Sequence, residues 1–483
     1  MKQKKWSNLL VTLFLVTFLW ACAINPVTGK RELMLLSETD EIQLGKESDK
    51  GIVEMYGVYP DNDLNAYITT LGQSMVKISH RPNLPYEFKV MDSPVINAFA
   101  VPGGYVYITR GILAYLNNEA ELAGVVGHEI GHITARHSAE QYTRAQLAQL
   151  GLGIGAALSK EIAQYAGLAA QGVGLLFLKF SRDNERQSDD LGVDYSTRVG
   201  YDAREMSNFF KTLVRMQGNV TEKGLPSWFS THPDPSDRVS AVQKDAINLQ
   251  KTLGLTNLKI NREEFLNKLP GMVYGEDPRQ GYVQNNIFYH PELKFSFPVP
   301  AGWKVNNAPT QVQMASADEK AAILFSLAAE NTPQSAASQF VTKYQAQVQS
   351  QNDVKVNNLN AVKLVTVLPG QTQPLQVVSY FIAKDSRVYF FHGFTSQAEF
   401  NQYQSILQTP MLGFTNLTDQ ARINVKPDRL QIKRVTSAMT LQQALKANGV
   451  TDQYLSEHAL INGLELSSSL PVNSLIKIVE RGR

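Results

Sequence analysis

The first half of the chain alternates between apolar residues spaced for helices and short apolar runs spaced for strands. Helix starts are marked by a capping side chain with acidic residues in the following turn, as at Ser37 and Asn118. The pattern predicts helices at residues 37–57, 64–78, 119–138 and 185–199, and further helices that begin at Asp202 and Ser236. It predicts strands at residues 86–91, 95–101 and 105–110, with a turn at Pro102–Gly104.

The pattern changes after about residue 270, where apolar residues alternate as they do in antiparallel strands. Segments typical of strands lie at residues 294–305, 321–327, 361–367, 375–383 and 387–394, and helix patterns lie at residues 336–349 and 398–407. This order predicts an α+β domain with an antiparallel sheet at residues 284–418. Its "FPVPAGW" segment (297–303) is similar to the PsbP/Mog-like fold.

Residues 428–483 follow the order strand, helix, helix, strand with an Asn-Gly turn, which resembles a LysM-like module. The Gly-Asp that usually precedes the Thr-Leu of such modules is replaced by Ala438-Met439, which weakens the case for glycan binding. The chain is therefore predicted to be a multidomain α+β protein. The expected segments are a signal peptide (1–21), a tether (22–36), a mostly helical domain with a small sheet (37–270), the α+β accessory domain (284–418) and the C-terminal module (428–483).

The N-terminus has the order of a secretory signal, with a basic start, an apolar run and then "LWAC" at Leu19–Cys22. This segment resembles a bacterial lipobox, although Trp20 is an unusual occupant. The resemblance implies cleavage before Cys22 and lipidation of Cys22, and Ala23 favours the outer membrane. The alternative is a buried or free thiol in an uncleaved anchor.

Composition narrows the classes of partner. Hydrophobic residues make up 43% of the chain and charged residues 19%, the balance of a globular protein with apolar cores. The net charge is +2 and no nucleic-acid-binding motif is present, so nucleic acid is not expected as a partner. The apolar stretch Leu150–Phe180 contains Lys160, Glu161 and Gln164, which favours a core helix or a lid over a membrane span.

The helix predicted at residues 119–138 carries the candidate chemistry, in the segment "VVGHEIGHITARH" (125–137). His128 and His132 are four residues apart, so both lie on one helix face and can converge on a metal ion. Glu129 lies one step around the helix and can act as a general base. His137 is nine residues after His128, half a turn out of phase, and is predicted to support a ligand or cap the helix end.

Two glycines accompany this motif. Gly127 and Gly131 weaken a helix, so their presence predicts the close approach of another backbone. A structural histidine pair on a buried helix is the alternative to a metal site, and it gives no reason for the two glycines.

A third ligand is expected in "SRDNERQSDDLGVDY" (181–195). Glu185 and Asp189 are four residues apart and lie on one helix face. Glu185 can complete a zinc site of two histidines and one glutamate, and Asp189 can accept the free N–H of a ligand histidine. On spacing alone, a solvated helix face explains the two carboxylates equally well.

Four motifs in order resemble the gluzincin zinc metallopeptidases of the HtpX and CAAX prenyl-protease type, in particular their soluble periplasmic, BepA-like lipoprotein branch. They are "NAFAVPGGYVYITRGIL" (97–113), "ELAGVVGHEIGHITARH" (121–137), "SRDNERQSDDLG" (181–192) and "STHPDPSDRV" (230–239). The resemblance covers about residues 24–245 and implies a zincin-like peptidase domain with one Zn²⁺ per chain. It implies that the zinc ligands are His128, His132 and Glu185, that Glu129 is the base, and that Asp189 supports a ligand.

The same resemblance leaves some roles open. Gln187 stands where the family usually has a carboxylate, which puts one peripheral contact in doubt. His232 is a candidate catalytic residue that donates to the oxyanion, a fourth zinc ligand that holds the enzyme latent, or a loop histidine that caps the next helix. Arg238 either pairs with a carboxylate of the site or forms an exposed salt bridge. The strand "YVYITR" (105–110) either has a free edge that binds extended substrate or lies inside the sheet.

The expected function is that of a zinc-dependent endopeptidase, lipid-anchored on the periplasmic side of the outer membrane of a Gram-negative bacterium. Its expected role is protein quality control, with hydrolysis of unfolded or misassembled envelope proteins. Expected partners are polypeptide substrates, the membrane through lipidated Cys22, and either outer-membrane assembly machinery or peptidoglycan. The alternative is a non-enzymatic chaperone or assembly scaffold that binds outer-membrane proteins or cell wall.

Overall fold

The computed structural model of the chain describes residues 22–149, 179–218, 228–232, 236–368 and 374–482. The chain divides into two compact units. The first unit comprises Met1–Gly275 with Arg429–Glu480, and the second comprises Glu276–Asp428 with Arg481–Arg483. Within the described ranges, no helix has the length and apolarity needed to cross a bilayer. The predicted signal peptide and most of the apolar stretch Leu150–Phe180 lie outside the described residues.

The helices of the first unit begin where capping side chains predict them. Ser37 and Asp40 form a capping box at the first helix, and the Asn118 side chain accepts a hydrogen bond from the Glu121 N–H. The helices before residue 275 are α1 (Glu38–Tyr56), α2 (Asn62–Val76), α3 (Arg110–Leu113), α4 (Glu119–Thr134), α5 (His137–Gln149), α6 (Arg182–Arg198), α7 (Met206–Gly218), α8 (Trp228–Thr231), α9 (Ser236–Thr252) and α10 (Arg262–Leu266). A 3₁₀ turn at Ala203–Glu205 leads into α7.

Strands β1 (Cys22–Ile24) and β2 (Arg31–Leu33) form an antiparallel hairpin where an extended tether is predicted. The buried Asn25 in the hairpin donates from Nδ2 to the Ala135 carbonyl, 3.2 Å away. The tether prediction is therefore wrong for these residues, because backbone pairing and this hydrogen bond hold the segment against the end of α4.

The small sheet of the first unit has the order β3-β5-β4. Strand β5 (Tyr105–Thr109) pairs in parallel with β3 (Glu87–Met91) and antiparallel with β4 (Ala98–Val101). Of the two alternatives for "YVYITR", the strand inside the sheet is therefore confirmed and the free edge is wrong, because both edges of β5 are paired. Strands β3 and β4 are the two edge strands of this sheet, and β4 packs against α4.

Every residue of α4 is buried, and α6 crosses it at close range. A Cβ atom on Gly127 would lie 3.1 Å from the backbone of Gly192 in α6. A Cβ atom on Gly131 would lie 3.2 Å from the backbone of Ser188. The predicted close approach of another backbone is therefore confirmed, and it brings the carboxylates of α6 next to the histidines of α4.

The predicted helix over residues 119–138 is wrong at its end. Helix α4 stops at Thr134, Arg136 adopts a left-handed backbone conformation with φ of 62°, and α5 begins at His137. A non-glycine residue accepts this conformation where its surroundings hold it there. Here the Arg136 side chain donates from Nε to the buried Glu41, 2.6 Å away, and from Nη2 to the Leu36 carbonyl.

The second unit confirms the predicted antiparallel α+β arrangement. Its strands are β6 (Tyr282–Gln284), β7 (Ile287–His290), β8 (Phe295–Pro298), β9 (Lys304–Ala308), β10 (Gln311–Ala315), β11 (Ala321–Leu327), β12 (Gln347–Val356), β13 (Leu359–Leu368), β14 (Leu375–Lys384), β15 (Arg387–Ser396) and β16 (Thr415–Asn416). A seven-stranded antiparallel sheet has the order β12-β13-β14-β15-β11-β10-β9, and a four-stranded sheet has the order β16-β8-β7-β6. The helices are α11 (Pro333–Tyr344), α12 (Phe400–Gly413) and α13 (Gln420–Ile423).

The C-terminal segment belongs to the first unit. Its elements are β17 (Arg429–Arg434), β18 (Met439–Thr440), α14 (Leu441–Ala447), α15 (Leu455–Ile461), β19 (Ser469–Leu470) and β20 (Leu475–Glu480), with β17 paired to β20. The fully buried Lys477 on β20 donates from Nζ to the carbonyls of Ala114 and Leu116, just before α4. This buried side chain joins the segment to the loop that leads into α4.

Candidate metal centre

Helix α4 places His128, Glu129 and His132 side by side in the interior, each of them 1% exposed or less. The four-residue spacing turns both imidazoles to the same side, and their Nε2 atoms lie 3.0 Å apart. Two neutral imidazole nitrogens that face one point in a buried site are a typical pair of metal ligands.

Helix α6 brings the third donor. A capping box at Ser181 and Asn184 starts this helix, and Glu185 follows in its first turn. The Glu185 carboxylate lies 3.4 Å from His132 Nε2 and 3.7 Å from His128 Nε2. Glu185 is 2% exposed, so it does not lie on a solvated helix face.

A fourth donor, His232, follows the short helix α8. Its Nδ1 lies 2.8 Å from Glu185 Oε1 and 3.4 Å from His128 Nε2, and its Nε2 lies 3.8 Å from Glu129 Oε1. The His232 N–H donates to the Trp228 carbonyl, and the indole of Trp228 stacks on the His232 ring with centroids 4.2 Å apart. Helix α8 therefore holds His232 inside the centre.

The donor set fits zinc. One ligand atom from each of His128, His132, Glu185 and His232 lies within 4.8 Å of the others. Among the described residues, the buried Glu129 carboxylate and His232 Nε2 have no hydrogen-bond partner, a state that burial makes costly. Three imidazoles and one carboxylate are ligand types that Zn²⁺ prefers, and the unpartnered Glu129 Oε1 and His232 Nε2 lie 3.8 Å apart beside them.

The charge states of the ligand side chains suit the binding of a cation. Burial by itself raises the pKa of the Glu185 carboxyl, but His232 and Arg238 beside it hold that pKa well below its usual range. Burial lowers the pKa of His132 well below its usual value. Glu185 is therefore anionic and His132 neutral, which are the states in which they bind metal. Burial raises the pKa of Glu129, as suits a proton carrier.

Asp189 and Arg238 contact the ligand residues His128 and Glu185 and fix their orientation. Asp189 Oδ1 lies 2.9 Å from His128 Nδ1, which leaves His128 Nε2 directed at the cluster. Arg238, 8% exposed, donates to both oxygens of Asp189 at 2.6 and 2.7 Å. Its Nη1 lies 2.7 Å from Glu185 Oε2, so one guanidinium pairs with both carboxylates of α6 inside the protein.

His137 lies outside the four-residue cluster but touches it. The break at Arg136 turns the chain so that His137 Nδ1 lies 2.9 Å from His132 Nδ1. The helical-phase argument for His137 is wrong in its premise, because α4 ends before this residue. The expected role of supporting a ligand now rests on this contact.

Two aromatic residues of the centre were missed by the sequence reasoning. Phe180 stacks on His132 with ring centroids 4.0 Å apart, and Trp228 covers His232. Trp228 precedes His232 by one helical turn, and Phe180 directly precedes the Ser181 cap. Because both aromatic residues stand next to motifs that the sequence analysis recognised, their positions could have indicated that they belong to the centre.

The segment that carries this centre matches a described family. Residues 47–246 match Peptidase family M48, and they contain all four residues of the cluster. The chain carries an M48 peptidase domain.

Curated relatives resemble part of the chain. The Beta-barrel assembly-enhancing protease of Yersinia pestis is 33% identical over 192 residues, which cover 38% of this chain and 39% of the relative. A mitochondrial metalloendopeptidase OMA1 of Schizosaccharomyces pombe is 28% identical over 224 residues, which cover 45% of this chain and 65% of the relative. The chain thus spans less than half the length of the Yersinia protein.

One solved structure shows a weak likeness to part of the chain. Cyanobacterial PsbP (CyanoP) from Synechocystis sp. PCC 6803 aligns with 27% of this chain and 91% of its own, at 11% sequence identity and a TM-score of 0.24. This likeness is too low to carry an argument about the fold or the function.

Proposed function

We propose that the protein is a zinc-dependent endopeptidase that hydrolyses peptide bonds of unfolded or misassembled envelope proteins. The observation that carries the proposal is the buried Glu129 carboxylate, unpartnered among the described residues, beside the converging His128, His132 and Glu185. A general base next to a two-histidine, one-carboxylate ligand set is the arrangement of zinc peptidases.

His128, His132 and Glu185 would hold the zinc. When bound, zinc supplies a Lewis acid that polarises the scissile carbonyl and makes water more acidic. Glu129 then takes a proton from the attacking water and passes it to the leaving amine, a role that its raised pKa favours. Asp189 and Arg238 keep His128 and Glu185 in the orientation that binding requires.

His232 is proposed as the fourth ligand of a latent state. Its place inside the cluster and its stacking under Trp228 support this role over that of a loop cap. The alternative role of His232 is that of the donor that stabilises the oxyanion of the reaction, and the two roles predict opposite effects of His232→Ala on activity.

Strand β4, rather than β5, is the proposed site for an extended substrate. It lies at the sheet edge among the described residues and packs against α4, so a peptide added to it would run past the metal centre. Recognition through main-chain hydrogen bonds suits unfolded chains of many sequences. The name of the Yersinia relative, which refers to β-barrel assembly, favours outer-membrane proteins as the substrate class.

The compartment is a further part of the proposal. Lipidation of Cys22 would attach the protein to the periplasmic face of the outer membrane. The hairpin β1–β2 directly follows, so the anchor would lie close to the body of the first unit. Residues 284–418 are proposed as a PsbP/Mog-like domain and residues 428–483 as a LysM-like module, with assembly machinery or peptidoglycan as candidate partners.

The test replaces Glu129 with glutamine in both the native and the His232→Ala background, so that latency does not hide activity. Cleavage of unfolded casein is expected to fall by roughly 10²–10⁴-fold, because the base is lost while the ligands stay. Bound zinc should remain at one per chain. Glu54→Gln, an exposed glutamate on α1, is the control and should retain full activity.

Full casein cleavage by the Glu129→Gln variant would overturn the peptidase mechanism. Complementation of an envelope defect by the inactive variant would favour the chaperone or scaffold function instead.

A further inference from the structure

The two ligand histidines of α4 have different supports. His128 Nδ1 faces the Asp189 carboxylate, which is itself paired with Arg238. His132 Nδ1 faces another imidazole, that of His137, at 2.9 Å. The orientation of His132 therefore depends on which nitrogen of His137 carries the proton.

Gln187 settles that question. Its Oε1 lies 2.9 Å from His137 Nε2. A carbonyl oxygen only accepts hydrogen bonds, so His137 carries its proton on Nε2 and donates it to Gln187. His137 Nδ1 is then a lone pair, which accepts the N–H on His132 Nδ1. That leaves His132 Nε2 bare and directed toward the other donors of the cluster.

The backbone places His137 for this contact. Arg136 turns the chain in its left-handed conformation, and the buried Glu41 of α1 holds the Arg136 side chain. Asn25 donates to the Ala135 carbonyl at the same turn. Contacts from two separate segments thus fix a bend that returns His137 to the histidine five residues before it.

We infer that His137 and Gln187 are positioning residues of the metal centre, which select the tautomer of His132 that binds zinc through Nε2. Gln187 contacts His137, which contacts the ligand His132. In the same way, Arg238 contacts Asp189, which contacts the ligand His128. The inference rests on the zinc site of the proposed function, but it does not depend on any peptidase activity.

The test measures zinc affinity by competition with a chromophoric chelator, in the Glu129→Gln background so that no cleavage occurs. Gln187→Leu removes the acceptor from a half-buried position and should raise the zinc Kd by about 10–100-fold. Gln187→Glu keeps an acceptor oxygen and should bind zinc at least as tightly as the parent. Gln250→Leu is the matched control, because it removes a buried glutamine hydrogen bond to Asp202 in the same unit. It should leave the zinc Kd unchanged.

A second pair of variants tests the connection between the two residues. Once His137→Phe has removed the imidazole, adding Gln187→Leu should cause no further loss of zinc affinity, since both act through one hydrogen-bonded chain. The d–d spectrum of the Co²⁺-loaded protein should change in Gln187→Leu and return in Gln187→Glu. Thermal unfolding of the metal-free proteins separates these effects from a general loss of structure.

An unchanged zinc Kd in Gln187→Leu overturns this inference alone, as does an equal loss of affinity in Gln187→Leu and Gln250→Leu. Absence of zinc binding in the parent overturns this inference and the proposed function together. Tight zinc binding that depends on Gln187, in a chain whose native form cleaves no peptide, supports this inference and overturns the peptidase proposal.

Discussion

The Nδ1 atom of His232 lies 2.8 Å from Oε1 of Glu185 at the centre of the buried cluster. Burial by itself lowers the pKa of His232, but the Glu185 and Glu129 carboxylates raise it above its usual value. The two carboxylates therefore hold His232 inside the cluster, and binding of its imidazole to zinc would release the proton that the raised pKa favours. In the proposed latent state, opening of the site would move His232 together with the Trp228 ring stacked on it.

His232→Ala is expected to increase the cleavage of unfolded casein several-fold, because it removes the side chain that fills the site. Zinc should still bind at one per chain with a higher Kd, since three donors remain. Activity assays with metal analysis check both points. His80→Ala, which replaces an exposed histidine, is the control. A loss of activity with zinc retained would instead assign His232 to oxyanion stabilisation.

Arg238→Leu is expected to destabilise the metal-free protein by about 3–5 kcal/mol, because it leaves the buried Glu185 and Asp189 without their shared cation. Added zinc should restore part of the lost unfolding free energy, because it brings positive charge to Glu185. Thermal unfolding with and without a chelator measures the difference. Arg238→Lys keeps the charge but not the forked hydrogen bonds, so an intermediate effect is expected. Equal stability of the metal-free Arg238→Leu and native proteins would contradict this account.

Lys477→Met is expected to cost about 2–5 kcal/mol of unfolding free energy, because it leaves the Ala114 and Leu116 carbonyls without their donor. Burial lowers the pKa of Lys477 well below its usual value and raises the pKa of the neighbouring Glu121 to about 8, so the expected loss is that of the two hydrogen bonds. Urea unfolding of the full chain measures the change. Lys433→Met on the exposed face of β17 is the control and should alter stability by less than about 0.5 kcal/mol. Similar values for the two variants would show that the Lys477 contact contributes little.

His392 makes the second unit sensitive to acid. Burial lowers its pKa to about 3, whereas a histidine in the unfolded chain titrates near ~6.5. Between these values the unfolded chain binds a proton that the folded unit does not, so stability is highest above pH ~6.5 and falls as the pH falls. His392→Leu should remove the contribution of His392 to this pH dependence. The slope of the unfolding free energy against pH should then fall by up to about 1.4 kcal/mol per pH unit.

Hydrogen exchange of β14 and β15 in the full chain, at pH 7.5 and pH 5.0, measures this stability. Ser379→Ala is the matched control, because it removes the partner of His392 Nδ1 but keeps the imidazole. It should leave the pH dependence in place. The same pH dependence in His392→Leu and the native protein would assign the acid sensitivity to other groups.

Local patterns were enough for most elements. Ser37, Asn118 and Asp202 start helices or turns as capping chemistry predicts, since each cap depends on residues a few positions away. The helix predicted from residue 185 begins earlier, at Arg182, where Ser181 caps it. The end of α4 could not be predicted in this way. Its bend at Arg136 depends on Glu41 and Asn25, which lie about a hundred residues earlier in the chain.

The sequence by itself determined the motif on α4, the facing of Glu185 and Asp189 on one helix, and the need for a close neighbour at Gly127 and Gly131. These follow from helical periodicity and from the absence of a side chain, which are local properties. Only the tertiary structure decided that β5 lies inside its sheet, that His137 supports His132, and that Arg238 is buried against both carboxylates. Those relationships join residues far apart in the chain, so the packing of the whole first unit sets them.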